Sequence, residues 1–365
     1  NIFVENDSLY FGGWNLAEDS WGPTFIAAQV QTNSEYYAIL EMNATDTLFR
    51  GWMNGSSMQV KTDVGPLHPH GGDIRLGANG GSVFPSGSSS NPFYFNGDIM
   101  EFLSYDYPMN SAQRKIVENH FAAKFRNQIE TDLSNDYYDY RGNYNYEVFG
   151  MGQDDFNNNH TITQGTGIIR LDQPTDLNNG EYLLFGHNGN DVASWNTDAA
   201  LGGYRLSRAW QLDETGDVGY VSVGLDTTEL ASPPEGMKDY IVWVFGADTN
   251  HYVMGEENGS FYTDSVMVTD GDSVTIGMVN TVQFALESSG GSESVSNADI
   301  VVALNDTLAT DVSVDYAVSD NSTASGGGKD YSMTSFGTIN IPAGEIADTI
   351  PVTIIDDALT EVEET

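Results

Sequence analysis

The stretch Gly97–Phe125, GDIMEFLSYDYPMNSAQRKIVENHFAAKF, contains the clearest helical pattern in the 365 residues of the chain. Alternation from Ile99 to Tyr107 predicts a strand whose two faces are both at least partly covered. Pro108 ends this strand, and Asn110 stands three residues before Gln113, which is the spacing of a helix capping box. The helix that follows carries an apolar stripe made of Ile116, Val117, Phe121 and Phe125. Because so short a helix is unstable alone in water, we expect it to pack on neighbouring strands.

This stretch resembles the end of a laminin-G-like (concanavalin A-like) jelly roll. Many secreted bacterial members have the motif FNGDI-x-E, then aromatic residues, then a short helix. The residues that carry the resemblance are Phe95, Asn96, Gly97, Asp98, Ile99, Glu101, Tyr105, Asp106, Val117, Glu118, Asn119, Ala123, Lys124 and Phe125. The resemblance implies a jelly roll with one C-terminal helix over residues 1–130, with its first strands missing from the sequence. It leaves the ligand open, because jelly rolls of this kind bind sugars, bind proteins, cut glycans or space other domains.

Short strand patterns separated by turns fill the rest of residues 1–130. The predicted strands are Ser8–Phe11, Thr24–Gln31, Tyr36–Met42, Thr47–Trp52, Met58–Thr62 and Asp73–Leu76. This density of strands and turns is typical of an all-β domain.

The composition of the chain excludes several classes of partner. Its net charge of -40, from 53 acidic and 13 basic residues, repels nucleic acid and anionic membranes and favours cations. The absence of cysteine excludes disulfides and thiolate chemistry. The sequence has no apolar run of transmembrane length, so we expect no direct membrane insertion.

Two groups of residues in the first domain are candidates for metal binding or for catalysis. His68 and His70 flank a proline close to Asp73, which suggests either a metal site or a polar loop without a ligand. A glycosidase needs two carboxylates at a fixed separation. Glu101 and Asp106 are five residues apart and would lie on opposite faces of a regular strand, so we do not expect hydrolysis here.

Two further groups suggest a binding surface. Trp14, Trp21 and Trp52 form either a platform for sugar rings or part of the core. The helix also carries a basic group, made of Arg114, Lys115, Lys124 and Arg126. This group forms either a docking patch for an acidic surface or a solvated face with pairs such as Lys115 and Glu118.

Residues 131–280 predict a second β-sandwich. The predicted strands are Tyr146–Gly150, Gly167–Leu171, Glu181–Gly186, Arg205–Leu212, Val218–Leu225, Tyr240–Phe245, Ser260–Val268 and Ser273–Val279. The region resembles a β-sandwich of unassigned function that commonly follows a jelly roll in large secreted bacterial proteins. The residues that carry the resemblance are Gly150, Gly152, Asp154, Asp155, Leu184, Gly186, His187, Asn188, Arg205, Arg208, Trp210, Asp213, Gly216, Asp217, Val218 and Gly219.

The charged residues of this second sandwich are interpreted as structural. Arg208 and Trp210 are two residues apart, share a face of a strand and predict a stacked pair. We expect Asp154 or Asp155 to be the ionic partner of Arg205 or Arg208.

Residues 281–365 show regular alternation of apolar and polar residues. The apolar positions are Val282, Phe284, Leu286, Val312, Val314, Tyr316, Val318, Ile339, Ile341, Ile350, Val352 and Ile354. This pattern predicts an antiparallel sandwich of the immunoglobulin-like sort. The region resembles a Calx-beta domain over its whole length. The residues that carry the resemblance are Glu293, Val314–Val318, Asp320, Thr323, Ala324, Asp330, Tyr331, Gly337, Thr338, Ile339, Ile341, Pro342, Gly344, Glu345, Ile355, Asp356, Asp357, Glu361 and Glu364.

Acidic residues are concentrated in this part of the chain, where Asp239 to Thr365 contains 22 acids and one base, Lys329. Crowded carboxylates repel one another unless they lie far apart in water or share a cation. Calcium suits such a cluster because it accepts about six to eight oxygen ligands in irregular geometry. The Calx-beta resemblance implies that the calcium ligands converge at one tip and are Glu293, Asp320, Asp330, Asp356, Asp357 and Glu361. The alternative is a scaffold that has lost some of these ligands.

The end of the sequence departs from the Calx-beta pattern. In that family an apolar strand follows the acidic run, whereas this sequence ends at Thr365. Two explanations are open: the sequence is a piece of a longer chain, or a strand from a neighbouring subunit completes the sandwich, as in donor-strand filaments.

Together these features predict an all-β chain of three tandem β-sandwich domains, at residues 1–130, 131–280 and 281–365. We see no catalytic constellation and expect no enzyme. We expect a structural or adhesive segment of a large extracellular bacterial surface or filament protein, stiffened by calcium. Its partners would be a glycan or surface ligand, or copies of itself. The alternatives are a lectin-like carbohydrate-binding protein and the accessory region of a secreted glycan-degrading enzyme.

Overall fold

The protein forms two compact units. A computed structural model describes residues 2–14, 23–43, 45–62, 64, 78–79, 93–125, 136–165, 168–198, 202–257, 259–286, 288, 290–292, 294–319 and 323–356. Unit 1 comprises Asn1–Gly189, Trp210–Asp226 and Asp264–Ser273. Unit 2 comprises Asn190–Ala209, Thr227–Thr263 and Val274–Thr365. The predicted division into three domains stays a prediction.

The described residues before 126 form three small antiparallel sheets and one helix. The elements are β1 (Ile2–Glu5), β2 (Ser8–Trp14), β3 (Pro23–Gln29), β4 (Ala38–Asn43), β5 (Leu48–Met53), β6 (Ser56–Ser57), β7 (Ala78–Asn79), β8 (Phe93–Tyr94) and α1 (Ser111–Phe125). The sheets have the orders β1-β2-β3, β4-β5-β6 and β7-β8. The predicted strand Met58–Thr62 is reduced to a single bridge between Phe49 and Lys61, and Asp73–Leu76 lies outside the described residues.

The capping box that the sequence predicts is present at the start of α1. Gln113 N donates to Asn110 Oδ1 over 2.9 Å, and Asn110 N donates to Gln113 Oε1 over 3.1 Å. The strand predicted over Ile99–Tyr107 is wrong, because this segment forms no β-ladder among the described residues. Its apolar side chains are exposed, at 49% for Ile99 and 50% for Phe102. Alternation alone makes no strand when no neighbouring strand offers hydrogen bonds.

Residues 146–279 contain most of the remaining strands. They are β9 (Tyr146–Asp155), β10 (Asn158–His160), β11 (Thr163–Gly165), β12 (Ile169–Asp172), β13 (Glu181–His187), β14 (Trp195–Asp198), β15 (Gly203–Leu206), β16 (Trp210–Thr215), β17 (Tyr220–Leu225), β18 (Asp239–Phe245), β19 (Thr249–Val253), β20 (Gly255–Glu257), β21 (Ser260–Met267) and β22 (Ser273–Val279). The single strand predicted over Arg205–Leu212 is two strands, β15 and β16.

In unit 1, the strands β10-β9-β13-β16 pair in that order and β11-β12-β17 form a second sheet. The helix α1 packs on the first of these sheets, because Ala112 and Ile116 share a core cluster with Val148 and Leu184. Tyr138 belongs to the same cluster, is fully buried and donates to Tyr144 O over 2.7 Å. The tyrosine-rich segment around Tyr138 therefore packs on the core of unit 1.

In unit 2, the strands β14-β15-β22-β18-β19 pair in that order. The C-terminal strands of the unit are β23 (Val282–Phe284), β24 (Asn297–Leu304), β25 (Val312–Ala317), β26 (Tyr331–Ser332), β27 (Phe336–Ile341) and β28 (Ala347–Ile354). They form the sheets β23-β24-β28-β26 and β25-β27, with Val302, Ile339 and Ile350 in the core between them. The fold is all-β with a C-terminal immunoglobulin-like sandwich, as predicted.

Candidate functional site

Two of the predicted calcium ligands lie at one end of the sheet β23-β24-β28-β26, which we call the acidic end. Tyr331 of β26 pairs with Ile354 of β28, and the ladder continues because Ile355 N donates to Asp330 O over 3.0 Å. Asp356 follows directly in the chain. The register of these two strands therefore places both residues at the same end of the sheet, with Ile355, not Asp356, directly opposite Asp330.

The Asp330 side chain is held by its own loop. Ser325 N donates to Asp330 Oδ2, and Asp330 N donates to Ser325 O over 3.1 Å. The loop between them contains Gly327 and Gly328, whose positive φ angles of 77° and 90° favour glycine. The glycines thus allow the turn that presents the Asp330 carboxylate at the acidic end.

The other predicted ligands, Glu293, Asp320, Asp357 and Glu361, lie outside the described residues. Within the described part of the chain, no group of three or more histidine, aspartate or glutamate side chains is placed to hold a metal ion. Asp330 and Asp356 supply carboxylate oxygens, which are the donors that calcium prefers.

A hydrogen-bonded network in unit 2, which we call the Asp239 junction, connects the start of β18 to two later segments. Asp239 Oδ2 accepts from Thr281 Oγ1 over 2.5 Å and also from Asn305 Nδ2. Asn305 N donates to Thr281 O over 3.1 Å, and Asn280 Nδ2 donates to Asp306 O over 2.8 Å. Sequence reasoning missed the junction, because its members are far apart along the chain.

The basic residues of α1 have specific partners. Arg114 Nη1 binds Glu118 Oε1 over 2.6 Å, and the Glu118 side chain is fully buried. The Arg114 guanidinium lies 4.5 Å from the ring centroid of Trp52. The predicted pair of Lys115 with Glu118 is wrong, because Lys115 Nζ instead binds Asp154 over 2.5 Å. Arg114 and Lys115 therefore fasten the helix to its neighbours.

Lys124 completes the basic residues of α1 that the structure describes, and Arg126 lies outside them. Lys124 Nζ binds Glu101 Oε1 over 3.0 Å, so Glu101 is engaged with the helix. Asp106 lies in an exposed bend.

The other candidates in the first domain are covered or undescribed. The Trp52 ring is approached by two guanidinium groups, since Arg50 also lies 5.3 Å from its centroid. The side chain of Trp14 and the whole of Trp21 lie outside the described residues, as do His68, His70 and Asp73.

The ion pairs expected in the second sandwich have other partners than predicted. Asp154 binds Lys115 and accepts from the Tyr182 hydroxyl over 2.6 Å, whereas Arg205 Nε donates to Asp198 over 2.8 Å. Arg208 Nε donates to the main-chain oxygen of Asn190 over 2.7 Å. Spacing along the chain therefore does not reveal which of these charged residues meet in space.

His187 is buried beside Glu147, but its geometry is not that of a general base. Its Nε2 lies 2.7 Å from Glu147 Oε2, and its Nδ1 accepts from Gly189 N over 2.9 Å. Both ring nitrogens are therefore occupied, which leaves no lone pair for a substrate proton.

Asp213 in unit 1 has an unusual environment that the sequence did not reveal. Burial raises the pKa of its carboxyl to about 6, the hydrogen bond from Asp139 N lowers it, and the charges of Asp270 and Asp139 raise it. The Asp213 carboxyl therefore keeps its proton to a higher pH than an ordinary aspartate does.

Among the described residues, an open groove in each unit combines an arginine–aspartate pair with apolar side chains. The Arg170 groove of unit 1 has a volume of about 650 Å³ and is lined by Ile162, Arg170 and Asp172, among others. The Arg205 groove of unit 2 has a volume of about 690 Å³, and its lining includes Asp198, Arg205, Trp243, Phe245 and His251.

Comparison with known families matches two parts of the chain. The Calx-beta domain family matches residues 277–365, which confirms the resemblance found in the sequence. A family described as a domain of unknown function (DUF8202) matches residues 124–288. No curated protein and no solved structure matches the chain. The laminin-G-like resemblance of the first domain stays a prediction.

A search of the described residues finds no helix that is long and apolar enough to span a membrane.

Proposed function

We propose that the chain is a structural segment of an extracellular protein, and that calcium at the acidic end stiffens its C-terminal sandwich. The observation that carries this proposal is the hydrogen bond between Ile355 N and Asp330 O, because it brings Asp330 and Asp356 to the same end of one sheet. The excess of 22 acids over one base from Asp239 to Thr365 favours a shared divalent cation over bare carboxylates. Calx-beta domains are associated with calcium binding and are often extracellular.

The Asp239 junction supports a mechanical role. Its members Asn280 and Thr281 lie where the two matched regions, 124–288 and 277–365, overlap in the sequence. Hydrogen bonds to a carboxylate are stronger than those between neutral groups, and Asp239 accepts two of them. The chain at Gly236 also packs on Leu308. A Cβ atom added at Gly236 would lie only 3.0 Å from Cδ2 of Leu308. These contacts resist bending between β18 and the β24–β25 loop.

An open apolar edge on the C-terminal sandwich supports attachment or self-assembly. Phe284 of β23 pairs with Val302, so its side chain belongs to the core face of the sheet, yet it is 60% exposed. Leu286 is 70% exposed beside it. Exposed apolar groups that lie together are typical of a surface that contacts another protein.

Calcium titration of the full chain tests the proposal. We expect saturating calcium to raise the Tm by several degrees, because a ligand at about 100 times its Kd stabilises the folded state by about 2.7 kcal/mol. Asp330→Asn should remove most of this shift, since it removes one carboxylate ligand. Differential scanning calorimetry after treatment with a chelator measures the effect.

Glu345→Gln is the matched control, because it removes the same charge from an exposed turn at the other end of β28. Its calcium response should equal that of the wild type. A Tm that calcium leaves unchanged, or an equal loss of response in both variants, contradicts the calcium site. Sedimentation velocity with and without calcium then measures self-assembly over a range of concentrations.

A further inference from the structure

The Arg205 groove of unit 2 has the features of a ligand site, and this site is separate from the proposed calcium site. Asp198 and Arg205 lie on one face of the sheet, because Arg205 pairs with Asn196 and side chains alternate along β14. Trp243 and Phe245 belong to β18, and His251 of β19 pairs directly with Trp243. The strand pairing thus assembles one ion pair and three aromatic or imidazole rings around a single groove.

The charge of the groove favours a neutral ligand. Arg205 is neutralised by Asp198, whose Oδ2 accepts from Arg205 Nε over 2.8 Å. The Arg205 side chain is nevertheless 43% exposed, so the groove presents a charged donor and a charged acceptor side by side. An anionic ligand would meet the field of a protein with a net charge of -40. A ligand with hydroxyl groups can both donate to the carboxylate and accept from the guanidinium.

The apolar part of the groove favours a ligand with a flat aliphatic face. The rings of Trp243 and Phe245 have centroids 4.4 Å apart and planes tilted by 40°. Trp243 is largely buried, whereas Phe245 is half-buried and Val253 is 48% exposed. Aromatic rings of this kind offer a broad apolar surface, and the CH face of a sugar ring fits it.

We propose that the Arg205 groove binds a neutral saccharide of one or two rings, with its CH face on Phe245 and its hydroxyls on Arg205 and Asp198. The volume of about 690 Å³ lies within the usual range of about 300 to 1,000 Å³ for small-molecule sites. The site is distinct from the first domain, whose resemblance to a jelly roll leaves its ligand open.

Saturation-transfer difference NMR on the full chain tests this site, with cellobiose, maltose and laminaribiose as neutral probes and a digalacturonate as the anionic probe. We expect at least one neutral disaccharide to bind. Phe245→Leu and Arg205→Gln should each weaken its binding about tenfold, the effect of losing roughly 1.4 kcal/mol of contact free energy. Circular dichroism establishes that each variant is folded.

Arg170→Gln is the matched control, because Arg170 is 49% exposed and pairs with Asp172 over 2.7 Å in the Arg170 groove. It should bind like the wild type. The proposal is overturned if no neutral probe binds the wild type, if the anionic probe binds in their place, or if Phe245→Leu and Arg205→Gln both retain full binding. Repeating the NMR measurement in the presence of a chelator separates the saccharide proposal from the calcium proposal, because the proposed saccharide site needs no metal.

Discussion

The pKa of the Asp213 carboxyl is set by the groups that surround it in the folded protein. Its pKa is raised from the usual 3.8 to about 6 by burial, and the nearby charges of Asp270 and Asp139 add to the effect. The Arg141 charge and the hydrogen bond from Asp139 N act in the opposite direction. Between these two pKa values the folded state binds more protons than the unfolded state, so this carboxyl favours folding at low pH.

This predicts a pH-dependent effect of Asp213→Asn. As the pH rises through about 6, the wild type loses the stability that protonated Asp213 contributes to the folded state. The amide side chain of the variant stays neutral over this range. The Tm of the variant relative to the wild type should therefore increase between pH 4 and pH 7, as measured by calorimetry at both values. Asp46→Asn, in an exposed turn, is the control and should show no such change. An equal difference at both pH values for Asp213→Asn contradicts the prediction.

At the scale of the element, α1 is held by a buried ion pair that the sequence pattern did not reveal. Of the predicted apolar stripe only Ile116 is buried, whereas Val117, Phe121 and Phe125 are half-buried. Arg114 and Glu118, however, are also buried on the helix, and their charges are neutralised by each other. The burial of two charges is costly in itself, but the loss of one partner is more costly.

This predicts that Glu118→Leu lowers the free energy of unfolding by about 3–5 kcal/mol, because it leaves Arg114 buried without a partner. The double variant Arg114→Met/Glu118→Leu should recover most of the loss, since it removes both charges. Urea denaturation of the full chain measures both. Lys124→Met, which breaks the more exposed pair with Glu101, should cost less than about 1 kcal/mol. A double variant as unstable as Glu118→Leu contradicts this account.

The segment Ile99–Tyr107 shows the limit of periodicity at the scale of the element. Its alternation is typical of a strand, yet a strand also needs a partner for its main-chain groups. The described residues supply none, and Ile99 and Phe102 remain exposed. The helix directly after it forms as predicted, because the hydrogen bonds of a helix and its cap come from residues close in sequence.

At the scale of the whole molecule, the surplus of 53 acids over 13 bases gives a self-repelling field. Screening should weaken this repulsion, because the Debye length falls from about 30 Å at 0.01 M salt to about 3 Å at 1 M. We therefore expect the Tm to rise by a few degrees when sodium chloride is added, as measured by calorimetry. Choline chloride at equal ionic strength should give the same shift. A Tm that stays constant or falls with salt contradicts the prediction.

The sequence by itself determined the all-β class, the capped helix and the C-terminal Calx-beta region. These features depend on local periodicity, on hydrogen bonds between near neighbours and on motifs that are continuous in the chain. The Calx-beta resemblance also implied that Asp330 and Asp356 are calcium ligands, and this stays a prediction.

Only the tertiary structure decided which charges meet. The pair Lys115–Asp154, the Asp239 junction and the Arg205 groove follow from strand register and helix packing. Several of these contacts join residues that are far apart along the chain, so spacing contains no information about them. Their electrostatics depend on burial, which a linear sequence does not contain and which sets the pKa of Asp213.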